Sequence, residues 1–282
     1  TIATAGWART VRVYGVPDGA ERALLPDLPN RAQMVLFLPA SELVAVSAGD
    51  LLLWNIRTGS VITQSLPSPA RGLAVSADGR LLASAGMETR VWDISRGSFV
   101  EKLVLRCDGE NGPAFVQFSP EGSQLAVNGL DGVICVWDVL TGRRLATLDG
   151  QSGMVWQLAY HPNGRILAAA SDDGKVRLWD IEAGREVRSL AGHIKRVTSL
   201  AFSPDGSQIA SGGQDGTLRL WNTDNGELQA LLTEHSDFTR DQEVIVDFET
   251  GTVSAAEPVR WILTLSYDGT GTRILAAGGD GK

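Results

Sequence analysis

Apolar residues in this chain come in short runs divided by Gly, Asn, Asp and Ser, and the clearest stretch lies between residues 197 and 232. Val197–Phe202, Gln208–Gly212 and Thr217–Trp221 each read as a strand, and a fourth run, Glu227–Leu232, follows the next turn. Arg185–Leu190 holds the same fourth place one unit earlier. The run Val155–Tyr160, VWQLAY, is apolar at nearly every position rather than at alternate ones, which is the pattern of a strand covered on both faces. The pattern predicts antiparallel units of four strands, each unit buried between neighbours and unable to fold alone.

The units repeat. Val155–Asp180 (VWQLAYHPNGRILAAASDDGKVRLWD) and Val197–Asn222 (VTSLAFSPDGSQIASGGQDGTLRLWN) align without a gap. Trp179 and Trp221 stand 42 residues apart, Trp137 stands 42 before Trp179, and Trp92, Trp54 and Tyr14 precede at steps of 45, 38 and 40. Each of these aromatic positions is followed five residues later by a glycine: Gly19, Gly59, Gly97, Gly142, Gly184 and Gly226. A glycine after a strand turns the chain with positive φ at no steric cost, so the phased spacing marks a recurring hairpin. Four-stranded units at this period are blades of a β-propeller. The expected fold class is all-β, with residues 1–282 forming a single domain.

The pairs Trp92-Asp93, Trp137-Asp138 and Trp179-Asp180, with Trp54-Asn55 and Trp221-Asn222 as near variants, make the sequence resemble the WD40-repeat family over most of its length. Turns such as Ser203-Pro204-Asp205-Gly206 and Ser119-Pro120-Glu121-Gly122 look like those of prokaryotic WD repeats. The resemblance implies that Gly192-His193 opens a buried hydrogen-bond chain with Ser211, Asp215 and Trp221, because a buried imidazole and a buried indole N–H both need partners. His193, Ser211 and Asp215 are also the residue types of a nucleophilic triad, and the structural network is the preferred reading. In the preceding unit the aligned residues are Gln151, Ala169 and Asp173, so the repeat persists without the histidine and the hydroxyl.

The pattern changes at both ends and in one internal stretch. Ile2–Tyr14 aligns with Ile209–Trp221 and Ile274–Lys282 with Ile209–Thr217, which predicts seven blades with incomplete terminal ones; six blades, or part of a longer array, are the alternatives. Glu234–Val259 is acidic and Thr-rich, and reads as a loop or a decayed repeat. Within it Val244–Gly251 resembles Arg177–Gly184, with Val246 in the tryptophan place, so a degenerate outer hairpin is expected there. The turn before Trp92 is shortened to Met87-Glu88-Thr89.

Composition narrows the function classes. The 282 residues are 43% hydrophobic and carry a net charge of −8, which disfavours attraction to a phosphate backbone. Apolar runs such as Leu51-Leu52-Leu53 are too short to span a bilayer as a helix, and Thr1–Thr10 shows no signal-peptide pattern, so a cytoplasmic location is expected. Cys107 and Cys135, 28 residues apart, match neither a zinc spacing nor a disulfide framework and are expected to be free thiols, compatible with a reducing compartment.

Candidate chemistry is sparse. Gly278–Lys282 lacks the first glycine of a phosphate loop, which is Ala276, and the same turn recurs as Asp172-Asp173-Gly174-Lys175. His161, His193 and His235 are scattered, and His161 takes the place of Ser203 in a turn. No catalytic residue, cofactor or metal is expected, so the chain reads as a non-catalytic interaction platform. The alternatives are a sensor domain of a larger signalling ATPase or kinase, as the prokaryotic-looking turns imply, and a propeller hydrolase.

The resemblance places a protein or peptide partner on the face where the loops before the innermost strand emerge. Gln33, Arg71, Trp156, Thr198 and Trp261 read as equivalent positions entering that strand. Gln33, Arg71, Met154, Trp156, Lys195, Arg196, Arg260 and Trp261 are the partner-binding candidates, since Trp and Arg join large area to directional contacts. The competing reading is that Trp156 and Trp261 fill space between blades.

Overall fold

The computed structural model describes residues 2–5, 9–15, 19–39, 41–107, 115–129, 131–232, 242–247, 252–255, 261–268, 270–271 and 273–279, some of them by backbone alone. All regular structure among them is β-strand. The chain divides into two compact units, residues 1–130 with 134–144, and residues 131–133 with 145–282.

The first unit opens with a three-stranded sheet, β1 (Ile2–Ala5), β2 (Val11–Tyr14) and β3 (Glu21–Leu25), in that order. A four-stranded sheet follows, β4 (Met34–Phe37), β5 (Leu43–Ala48), β6 (Asp50–Asn55) and β7 (Val61–Gln64), then another, β8 (Gly72–Val75), β9 (Leu81–Ala85), β10 (Thr89–Asp93) and β11 (Val100–Leu105). The unit continues with β12 (Phe115–Phe118), β13 (Gln124–Asn128) and β14 (Ile134–Asp138), again antiparallel neighbours. The first strands β4, β8 and β12 lie side by side, so the sheets radiate from them. Faces of successive sheets share one core: Leu51 and Leu53 of one pack with Leu73, Leu82 and Trp92 of the next.

β15 (Arg144–Leu148) leads into the second unit, which holds β16 (Val155–Tyr160), β17 (Ile166–Ser171), β18 (Lys175–Asp180) and β19 (Arg185–Ala191) as one sheet. The next sheet is β20 (Val197–Phe202), β21 (Gln208–Gly213), β22 (Leu218–Asn222) and β23 (Leu228–Leu232). Their facing sides interleave, with Ala168, Ala170 and Leu178 against Leu200, Ile209 and Trp221. Inner strands are buried along most of their length, as the unbroken apolar runs require, while outer strands such as β19 are largely exposed.

The repeat read from sequence is a repeat of register. Trp54, Trp92 and Trp137 in the first unit, and Trp179 and Trp221 in the second, each lie opposite an aliphatic residue of the second strand: Val44, Leu82, Leu125, Leu167 and Ile209. Tyr14 faces Ile2 in the same manner. All six phased glycines have positive φ, between 62° and 77°, which explains their fixed offset from the aromatic residue.

The last sheet departs from chain order. It comprises β24 (Gln242–Asp247), β25 (Thr252–Ala255), β26 (Trp261–Tyr267) and β27 (Arg273–Gly279), arranged β25-β24-β27-β26. The expectation that Ile274–Lys282 ends inside an incomplete blade is therefore corrected, because the hairpin β24–β25 supplies the two outer strands from earlier in the chain. Antiparallel pairing depends on strand direction and register rather than sequence order, so a preceding hairpin completes the sheet as well as a following one. Val246 lies opposite Ile274, the same register as Trp221 opposite Ile209. Residues 234–241, 248–251 and 256–259 of the divergent stretch lie outside the described residues.

A second correction concerns the cysteines. Cys107 and Cys135 form a disulfide, with their Cα atoms 5.9 Å apart, and no free cysteine remains. Spacing along the chain could not reveal the pair, because β14 carries Cys135 back beside the end of β11. The argument from free thiols to a reducing compartment falls with it. Cys135→Ser is expected to cost about 2–4 kcal/mol through the unfolded chain it releases, read as a lower denaturant midpoint that matches wild type under reductant.

Candidate functional site

Two clusters gather polar side chains in the second unit. The first is buried. Gly192 lets the chain after β19 approach β22, where a Cβ would come 2.4 Å from the Arg219 guanidinium and 3.0 Å from Trp221. The next residue, His193, is thereby set over β21. Its Nε2 lies 2.8 Å from Ser211 Oγ, its Nδ1 lies 3.0 Å from Asp215 Oδ2, and Trp221 Nε1–H donates to Ser211 Oγ at 2.8 Å. Asp215 also accepts from the backbone N–H groups of Ile194 and Thr217 and from the Thr217 hydroxyl. Burial alone would raise the Asp215 carboxyl, but the hydrogen bonds from His193 and Thr217 outweigh it and hold the group well below the usual carboxylate range.

The spacing of Ser211, His193 and Asp215 would suit acyl transfer, yet the surroundings do not. Ser211 is fully buried, the side chains of His193 and Asp215 are 1% exposed, and the serine oxygen is already engaged by an indole. A carbonyl carbon must sit about 3 Å from a nucleophile, and this hydroxyl has no open side. The cluster ties a loop, a turn and two strands together.

The preceding sheet solves the same problem with other residues. Arg177, 7% exposed in its side chain, donates to Asp173 at 2.5 and 3.2 Å and to Gln151 Oε1 at 3.1 Å. Ala169 offers no hydroxyl, and Trp179 Nε1 is left without a partner among the described residues. Arg177 was missed in the sequence, although its signal was present: Arg12, Arg90, Arg177 and Arg219 all stand two residues before the aromatic position. Three of them pair with a glutamate that opposes the aromatic residue on the outer strand: Arg12 with Glu21, Arg90 with Glu101 and Arg177 with Glu186.

The second cluster is at the surface. β16 bulges between Val155 and Gln157, so Trp156 leaves the ladder and its indole N–H donates to Asp172 Oδ1 at 2.6 Å. The Arg196 guanidinium lies 4.9 Å from the centre of the Trp156 ring, and its Nε is 3.4 Å from the same Asp172 oxygen. Trp156 and Arg196 are half-buried, Lys195 is exposed, and Ile194 beside it is 83% exposed. The Met154 carbonyl accepts the Asp172 N–H, which fixes the turn carrying the carboxylate. Asp172 had read only as part of a strand connection; its role appears once the β17–β18 turn is seen beside the start of β16.

Gln33 and Arg71 are in the first unit, each exposed and each bonded through its backbone N–H to the second strand of its sheet, at Ser47 and Ala85. Met154, Trp156, Lys195 and Arg196 belong to the second unit. Arg260 lies outside the described residues, and so does the side chain of Trp261. The backbone of Trp261 corrects its proposed equivalence to Trp156. The bulge of β26 falls between Ile262 and Thr264, as that of β20 falls between Val197 and Ser199, so Leu263 takes the place of Trp156 and Thr198. His161 keeps its turn position and also reaches the next sheet, with Nε2 3.1 Å from the Gly206 carbonyl and its ring edge-on to Phe202.

Comparison with known proteins agrees with this anatomy. The family described as "WD domain, G-beta repeat" matches residues 102–138, 142–180 and 184–222. A periodic tryptophan protein 2 homolog of Schizosaccharomyces pombe is 30% identical over 136 residues, covering 45% of this chain and 16% of that protein. Protein groucho of Drosophila melanogaster is 31% identical over 140 residues, covering 46% and 18%. Nuclear distribution protein PAC1-2 of Uncinocarpus reesii is 32% identical over 160 residues, covering 45% and 35%. The matched part thus spans well under half of each relative. Three stretches between residues 102 and 222 are thus similar to WD40 repeats, and the strand register, the phased glycines and the histidine–serine–tryptophan network run through them.

Proposed function

We propose that the chain is a non-catalytic platform for protein–protein interaction, and that Trp156, Arg196 and Asp172 form the centre of a docking surface on its second unit. The reading is supported by relatives that are WD-repeat proteins and by one structural observation in particular. A bulged tryptophan is held in place by its own hydrogen bond to Asp172 and a stacked guanidinium, with an exposed aliphatic side chain two residues from that cation. An aromatic anchor fixed before binding loses little conformational freedom on contact, which is what concentrates binding energy in Trp and Arg. The buried serine–histidine–aspartate cluster serves cohesion in this reading.

The test separates docking from folding. Trp156→Ala and Arg196→Gln are expected to shift the melting temperature by only a few degrees while reducing capture of partner proteins at least tenfold. If Trp156→Ala instead lowers stability as much as Trp179→Ala does and partner capture is unchanged, Trp156 fills space between sheets and the surface assignment is wrong.

A further inference from the structure

The first unit contains a cavity of about 550 Å³ whose origin can be traced to the sequence. Ten residues separate Ser211 from Trp221, but only eight separate Ser84 from Trp92, so the β9–β10 turn is two residues shorter than the β21–β22 turn. Counting back from the innermost strand, Leu66 stands where His193 stands. The shortened turn and the lost imidazole leave open the space that the second unit fills with its buried network.

The groups left around that space are uneven in their commitments. Ser84, 2% exposed, accepts the Trp92 indole N–H at 3.0 Å, just as Ser211 does with Trp221. Ser211 Oγ also meets His193; Ser84 has no second partner among the described residues, so its hydroxyl proton is left at the cavity lining. Leu66, Pro67 and Met87 form an apolar wall, Met87 being 75% exposed. Glu88 accepts from both Arg90 and Arg106 and, with the Arg106 hydrogen bond as the largest cause, is held below the usual carboxylate range. Arg106 spends its Nε and one terminal nitrogen on Glu88, and its other terminal nitrogen has no partner among the described residues; the side chain is 78% exposed.

The side-chain groups left uncommitted at the lining include the hydroxyl protons of Ser84 and of Ser68, whose Oγ accepts the Met87 N–H, and the outer N–H groups of Arg106; all are donors, and the one carboxylate there is already neutralised. An occupant that satisfies the Ser84 and Arg106 ends brings acceptors at two points with an apolar group between them. We infer that this cavity receives an extended segment of a partner protein in which an aliphatic side chain is followed by Asp or Glu. A backbone carbonyl accepts from Ser84, the aliphatic group lies on Leu66, Pro67 and Met87, and the carboxylate takes the free N–H groups of Arg106. The volume is within the range of ligand sites, and a mouth as open as the exposed Met87 makes it suits a passing chain better than a small molecule that needs enclosure. The inference stands on the first unit alone and does not rest on the Trp156 surface.

Three methionines give a direct readout, because Met87 lines the cavity, Met34 packs in the core behind its Leu66 and Ala70 without lining it, and Met154 is close in sequence to Trp156. The protein carrying 13C-methyl methionine is titrated with Ac-Ala-Leu-Glu-Ala-NH2, its Gln analogue and hexanoate. The Leu-Glu peptide is expected to move the Met87 resonance saturably, with the Gln peptide about tenfold weaker, since hydrogen bonds to a charged group carry that margin. In Arg106→Gln, whose exposed side chain leaves the fold intact, that preference should fall to near unity. An unmoved Met87 at millimolar peptide, an acidic preference that survives Arg106→Gln, or hexanoate binding as tightly as the peptide would each overturn the inference. A shift confined to Met154 would also overturn it while leaving the Trp156 surface standing.

Discussion

Asp215→Ala is expected to destabilise the protein by about 3–5 kcal/mol, the range found when one partner of a buried pair is removed. The aspartate is the common acceptor for the imidazole of His193, two backbone N–H groups and the Thr217 hydroxyl, with its side chain only 1% exposed. Alanine takes away the shared acceptor, leaving the buried His193 Nδ1 only Thr217 Oγ1 at 3.1 Å and the Thr217 N–H without its carboxylate, and each buried orphan costs about 1–3 kcal/mol. Asp215→Asn keeps the size and one acceptor oxygen, so it should lose less and serves as the measurable variant if the alanine protein does not fold. Urea denaturation checks both.

The same residue predicts a pH dependence with a definite sign. Its folded carboxyl is depressed, so the unfolded chain binds a proton that the native state refuses. Its contribution is present in full above the ordinary carboxylate value, about 3.9, and fades as the pH falls below it toward the folded value. Asp78, Asp173 and Asp205 are also depressed, so wild-type stability alone would not isolate Asp215. The stability difference between wild type and Asp215→Ala should shrink as the pH falls below about 4; a difference that stays flat between about pH 4 and pH 3 would contradict the assignment.

Trp179→Ala should also cost about 3–5 kcal/mol, the range for a large aromatic removed from a core, and lower the melting temperature by on the order of 10 °C. Trp179 is 4% exposed, yet its indole N–H has no partner among the described residues. Its value therefore lies in packing, whereas Trp221 adds a hydrogen bond to Ser211. Trp179→Phe should accordingly be milder than Trp221→Phe, and calorimetry of the two variants would reveal an inverted order.

The two units show how the same repeat carries different fittings. Around Trp221 the space is closed by imidazole and carboxylate; around Trp179 it is closed by Arg177, Asp173 and Gln151; around Trp92 it remains a cavity. The aromatic register is constant while the residues around it vary from sheet to sheet.

What the sequence determined by itself was everything set locally. Strand positions, the register of Trp54, Trp92, Trp137, Trp179 and Trp221, and the positive φ of the six phased glycines follow from short apolar runs, the aromatic spacing and turn chemistry. The histidine network was legible too, through the position-by-position resemblance of one repeat. Only the tertiary structure decided the Cys107–Cys135 bond, the joining of Asp172 and Arg196 to Trp156, the attachment of β24 to β27 and the cavity beside Arg106. The physical reason is common to all of these: they depend on which strand edges and loops meet across long stretches of chain, and local periodicity carries the shape of each strand but not the identity of the surface it will face.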